Sequence, residues 1–239
     1  AWGVTDTAGW NHSSWSISAE WFAYLTFPLS AWAAWRLRGR PWLFAGLVVS
    51  VLAILYPTFE RLAGFSLTEA TIHWGALRIV PCFLLGCAMH ALWRSGAVRS
   101  VTAAALGASF SGAGMLIAAA TGAPDILCVI AFGGLILSLA GLAQQGSRFA
   151  SQPGFVYLGE ISYSTYMICV PWKIIFVNGA AKVLNLPTEK LPLGLWMIFL
   201  AAVVPLSAAS YHLIEKPARA RMKLWSDSWR ARRDATATA

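Results

Sequence analysis

The sequence predicts an all-α fold, a polytopic transmembrane helix bundle with about seven spans. Three observations predict it. First, the 239-residue chain is 58% hydrophobic and 12% charged, about half the charge of an ordinary soluble domain. Its mean hydropathy is +0.61, so polar surface is too scarce to coat a water-soluble globule and the apolar excess faces lipid. Second, apolar runs approaching the roughly 20 residues that a bilayer crossing needs recur along the chain. Third, the basic residues alternate from loop to loop as the positive-inside rule requires.

The runs follow in order. The first extends from Trp21 to Trp35 and is short unless Ile17 and its neighbours join it; the second extends from Trp42 to Tyr56. These two can instead form one helical hairpin in a tilted or thinned bilayer. The third covers Ile72 to Trp93, the fourth Val101 to Thr121, the fifth Ile126 to Leu142, the sixth Phe155 to Val177 and the seventh Leu193 to Leu213. Trp15, Trp21, Trp35, Trp42, Tyr56, Trp74, Trp93, Trp172 and Trp225 fall where interfacial belts belong. The stretch from Ala103 to Gly114 is rich in Gly, Ala and Ser and suits close helix packing. Pro28, Pro81, Pro171 and Pro205 lie within or near spans, where neighbours can satisfy the freed carbonyls.

Of the 18 Lys and Arg residues, 13 fall on one side of this arrangement and three on the other, with Arg78 and Lys173 inside spans. The asymmetry places the N-terminal segment outside and the C-terminal tail in the cytoplasm. Residues 1–225 read as one transmembrane domain. Residues 226–239 read as a charged cytoplasmic tail, polar and disordered from Asp227 onward. The chain opens at Ala1 in a polar loop with no signal peptide, and it is expected to lack part of its N-terminus.

The net charge of +8 does not indicate nucleic acid, because the basic residues sit in short loops between apolar runs. Cys82, Cys87, Cys128 and Cys169 all lie in apolar runs without metal-ligand spacing and read as small buried hydrophobes. No metal site is expected. No P-loop, dinucleotide-binding glycine motif, nucleophile elbow or zinc-protease motif is present.

Ionisable groups at membrane depth are costly, which makes them functional candidates. The segment from Asn11 to Tyr24 leads from the outer face into the first span. On a helix, Ser13, Ser16, Glu20 and Tyr24 share one face, so polar groups would line the bundle interior while Trp15 and Phe22 seat the helix. Glu20 then acts as a general acid or base or holds a hydroxyl-bearing substrate; the alternative is an interfacial carboxylate favoured by the helix dipole. Arg78 pairs with Glu20, binds an anion, or snorkels to the outer interface. Ser162, Thr165, Tyr166, Cys169 and Lys173 form a polar stripe in the sixth run that can also serve as helix glue, with Lys173 snorkelling. His73, His90 and His212 read as structural, near interfaces.

These residues carry a resemblance. Asn11 to Pro28, NHSSWSISAEWFAYLTFP, resembles the SWSLSVE…FY…P signature of the acyltransferase-3 family of membrane O-acyltransferases. Arg78 to Gly86 is similar to the family's Arg…Pro-x-Phe-x-x-Gly span, Leu158 to Tyr166 to its LGkiSYslYl helix, and Ser210 to Pro217 to its closing sy.liEkP. The resemblance covers nearly the whole chain. It implies an enzyme of the bacterial inner membrane that moves an acyl group, commonly acetyl, from acyl-CoA to a hydroxyl of a sugar or cell-surface glycan. Acyl-CoA enters as donor substrate, with no tightly bound cofactor. The resemblance implies that Ser14, Trp15, Ser16, Glu20 and Arg78 belong to the working site; the catalytic residues expected are Glu20, Ser16 and Arg78, and the substrate contacts expected are Ser14, Trp15, Tyr24, Tyr163 and Tyr166. The family's N-terminal spans carry a histidine thought to be catalytic, and nothing here matches it; His12 lies beside the signature and is not that residue. This chain alone is therefore expected to be inactive or to come from a longer enzyme.

Two readings compete. A transporter or flippase for a glycolipid or polysaccharide precursor suits the polar groups and prolines, but it predicts internal inverted repeats, and the sequence shows none. A purely structural membrane subunit has no need of Glu20 and Arg78 at depth.

Overall fold

The computed structural model describes residues 9, 11–147, 152–184 and 191–237. Its helices are α1 (Ser14–Arg36), α2 (Pro41–Ala63), α3 (Gly75–Arg94), α4 (Val101–Thr121), α5 (Asp125–Gln144), α6 (Pro153–Glu160), α7 (Ser162–Leu184), α8 (Leu193–Ser210) and α9 (Lys216–Ala237). A 3-10 turn (Leu67–Glu69) interrupts the α2–α3 connection, and a π turn (Tyr211–Glu215) joins α8 to α9. No strand occurs among the described residues.

Among the described residues six segments are long and apolar enough to cross a membrane: α2, α3, α4, α5, α7 and the continuous stretch Leu193–Ala231. The seventh expected span is α1, also 23 residues long and so about 34 Å from end to end. Ser14, Ser16, Ser18 and Glu20 in its first turns make it the least apolar of the seven. Leu25, Leu29, Leu47, Ile54, Phe110, Leu116 and Ile136 are each at least half exposed, as lipid-facing side chains are.

The chain forms two compact units. The first holds residues 1–9 and 14–152. One stripe of α2, Phe44, Val48, Leu52, Tyr56 and Phe59, packs with Leu85, Ala88 and Leu92 of α3 into its core, at the helical spacing of one buried face. The α4–α5 hairpin closes through small residues. A Cβ added at Gly107 would sit 2.5 Å from Ser138 Oγ, and one at Gly134 would sit 2.7 Å from Ser111 Oγ. The expected role of the small-residue stretch is therefore met by serines seated over glycines.

The second unit holds residues 10–13 and 153–239. There α7 packs on α8: the Trp172 indole donates to the Phe199 carbonyl at 3.3 Å, and their rings stack 6.4 Å apart. The π turn continues directly into α9.

Several boundaries differ from the expectation: α1 begins at Ser14 rather than Trp21, α3 at Gly75 rather than Ile72, and α7 ends at Leu184 rather than Val177, and three further differences have a clear local cause. Helix α2 runs past Tyr56 to Ala63 through Pro57. A single proline removes one donor while adjacent bonds hold the helix, and the stop comes at Gly64, which takes φ 77°, a conformation glycine adopts without a Cβ penalty. The sixth run is two helices that meet at Ile161, so the span begins at Ser162 rather than Phe155. Residues 227–237, expected as a disordered end, continue α9; Arg and Ala fill much of that stretch, and both are strong helix formers.

Candidate functional site

The site is built where α1 and α3 begin. Ser14 opens α1 and Gly75 opens α3, and the two helices pack together along their length. Trp15, half-buried in the first turn of α1, offers its ring face to Arg78 in the first turn of α3. The Arg78 guanidinium lies 5.1 Å from the ring centroid, within cation–π range. Arg78 Nη1 also donates to the Ala70 carbonyl at 3.2 Å. Among the described residues no carboxylate forms an ion pair with Arg78.

Ala70 closes the 3-10 turn within a strap from Gly64 to Trp74. Asp125, the first residue of α5, sits where the helix dipole favours an anion. Its Oδ2 accepts a hydrogen bond from Ser66 Oγ at 2.5 Å and another from Thr68 Oγ1. Ser66 in turn accepts from the Thr68 backbone N–H and caps the 3-10 turn. The strap buries Leu67 completely and ends at Trp74, whose φ of 65° makes it the non-glycine residue in the left-handed region among those described. A bulky side chain there costs on the order of 1–2 kcal/mol, held here by the Trp74 ring against Phe59, 6.1 Å between centroids. Tyr56 and Cys82 pair through O–H and sulfur at 3.7 Å.

The expected polar face of α1 is corrected. Its buried stripe is Ala19, Ala23 and Ser30, because only small residues fit where α1 meets α3 closely. Glu20 and Tyr24 are exposed beside this seam, and Ser13 precedes the helix. Glu20 lies five residues beyond Trp15, about 7.5 Å further along the axis, and no ion pair joins it to Arg78 among the described residues. The structure thus brings Arg78 to Trp15 rather than to Glu20. Ser14 is exposed and Ser16 half-buried on the same first turns. The rings of Tyr24 and Phe27 meet Phe83 of α3 edge-on, at 6.4 and 6.1 Å.

In the second unit, Tyr163 and Tyr166 are exposed on α7. Ser162 and Thr165 donate to carbonyls one turn back, and Lys173 is exposed. A polar network missed by sequence reasoning lies nearby. Buried Ser164 donates to Glu215, Glu215 pairs with Arg219 one turn on, and Tyr157 O–H meets His212 Nε2 at 3.2 Å over stacked rings. The π turn re-aims His212 and Glu215, and such turns recur at functional sites. Among the described residues no group of three or more His, Cys, Asp and Glu side chains gathers as metal ligands.

The strap cluster was also missed. Its local signal is the Pro124-Asp125 pair opening an apolar run, a helix-start pattern. Nothing local links Asp125 to Ser66, 59 positions away.

Comparison with known proteins now adds to the geometry. Residues 1–212 match a family profile described as an acyltransferase domain. The acyltransferase MdmB of Streptomyces mycarofaciens is 29% identical over 186 residues, covering 69% of this chain and 46% of that protein. The chain therefore spans about half the length of the curated relative it matches. No solved structure matches the chain at a significant level.

Proposed function

The chain belongs to the acyltransferase-3 family, and from that premise we propose that it works as a membrane O-acyltransferase, moving an acetyl or similar acyl group from acyl-CoA to a hydroxyl of a sugar or cell-surface glycan. The observation that carries the reading is Arg78, fixed on the Trp15 face without a carboxylate partner among the described residues. It stands beside the Ser14–Glu20 block that bears the family likeness.

The chemistry assigns each group a task. The acceptor hydroxyl oxygen attacks the thioester carbonyl carbon, forming a C–O bond and an oxyanion; collapse breaks the C–S bond, and the thiolate leaves with a proton. Glu20 takes the hydroxyl proton and returns it to the leaving sulfur. Arg78 faces the oxyanion, where a fixed cation in a water-poor site is worth most. Ser14 and Ser16 hydrogen-bond the acceptor, and Trp15 and Tyr24 supply ring faces for a sugar. Tyr163 and Tyr166 carry the same sugar-stacking proposal for the second unit. The distribution of 13 basic residues against three supports a bacterial inner-membrane orientation with the C-terminus cytoplasmic and Trp15 at the outer end.

The test is transfer of label from radioactive acetyl-CoA to glycan in membranes carrying the whole protein. Glu20→Gln and Arg78→Ala are each expected to lower the rate about a hundredfold or more while the protein still folds. Unchanged rates in both would remove the α1–α3 site from the chemistry.

A further inference from the structure

At the other end of the α1–α3 pair, away from Arg78, lies a hollow of about 730 Å³, within the range of small-ligand sites. Its walls change character along the helices. Phe27, Ala31 and Gly86 line an apolar throat, and Arg38, His90 and Arg94 stand at the rim. Among the described residues no carboxylate lines it, and none pairs with Arg38 or Arg94. Arg38 rests on the face of Trp35, 5.0 Å from the centroid, which orients its guanidinium without neutralising it.

The small residues keep the throat open. A Cβ added at Gly86 would meet no atom within 4 Å. From Phe27 to Arg38 along α1, and from Gly86 to Arg94 along α3, the throat reaches about 12–16 Å at the helical rise. That length suits a carbon chain, and two guanidinium groups at its mouth suit phosphate.

We propose that this hollow binds a phosphate-bearing amphiphile, with its anionic end on Arg38 and Arg94 and its chain along Phe27, Ala31 and Gly86. A phosphorylated acyl thioester and an anionic lipid headgroup share this chemistry. The inference stands on the hollow itself and does not require the transfer reaction.

The experiment is native mass spectrometry of the full protein with three probes: decanoyl-CoA, phosphatidylglycerol and phosphatidylcholine. The wild type is expected to retain one of the two anionic probes at least about tenfold over phosphatidylcholine, since charge-assisted contacts dominate. Preference for the thioester identifies a donor site, and preference for phosphatidylglycerol identifies a lipid site. Arg38→Gln with Arg94→Gln should remove the preference, and Gly86→Leu should remove it by filling the throat. If the arginine pair fails to fold, Gly86→Leu decides alone. Wild-type retention in either folded variant, or no preference in the wild type, overturns the proposal.

Discussion

The seating of Ser138 over Gly107 makes a sharp energetic prediction. In Gly107→Ala the new methyl would lie 2.5 Å from Ser138 Oγ, about 0.9 Å inside the 3.4 Å at which ordinary contact begins. Ser138 is buried, and its hydroxyl donates to the Gly134 carbonyl at 2.7 Å, so it yields only by giving up that bond or by separating α4 from α5. Overpacking of this kind costs about 1–3 kcal/mol, while replacing a helical glycine by alanine returns about 1 kcal/mol. Gly107→Ala alone should therefore lower stability by between about zero and 2 kcal/mol. In a Ser138→Ala background the nearest remaining atom is the Cβ of residue 138 at 3.5 Å, an ordinary contact, and the same change should stabilise by about 1 kcal/mol. The coupling between the two positions is then about 1–3 kcal/mol whatever the propensity gain. The assay is a double-mutant cycle on the full protein, unfolded reversibly in micelles and followed by circular dichroism. Additivity within about 0.5 kcal/mol would refute the packing argument.

Two further stability changes follow from the polar clusters. Asp125→Ala strips the acceptor from Ser66 and Thr68 and should cost about 1–3 kcal/mol in a thermal melt; Asp125→Asn, which keeps an acceptor, should lose less, and equal losses would refute the hydrogen-bond account. In the second unit, Ser164→Ala removes the hydroxyl donor to the Glu215 carboxylate and should cost about 1.5–3 kcal/mol. Protection of α7 amides against hydrogen exchange should fall with it, and unchanged protection would show the contact to be idle.

Much of the helical order was legible because it is written locally. The limits of α4 agree with the sequence reading at Val101 and Thr121: Ser100 accepts from the Ala103 N–H at one end and left-handed Gly122 closes the other, and both are cap signals. The small-residue stretch from Ala103 to Gly114 was legible for the same reason. What escaped depends on partners distant in sequence. The interior face of α1 is decided by how closely α3 approaches, which favours Ala19 and Ala23 over the more conspicuous Glu20 and Tyr24. The link from Ser66 to Asp125 and that from Ser164 to Glu215 cross 59 and 51 positions. The break at Ile161 and the π turn at Tyr211 leave the apolar pattern intact, so a hydrophobicity argument passes over them.

The two basic sites stand at opposite ends of α3, Arg78 and Arg94, about 24 Å apart by helical rise. If the inner hollow holds an acyl thioester, its acyl end must pass along the α1–α3 seam to reach Arg78. Gly86 shortens that path to two turns of α3, about 12 Å, and Phe83 lies between them in sequence, turned toward α1 with Tyr24 and Phe27 on its edges. Phe83 then sets how long a chain can pass. Phe83→Ala should raise kcat/KM for decanoyl relative to acetyl thioesters, since each methylene admitted or refused in an apolar pocket changes discrimination by about 1–3 kcal/mol. Phe83→Trp should lower the same ratio. A chain-length preference unmoved by both variants, with each protein folded, would mean that the acyl group does not travel along this seam.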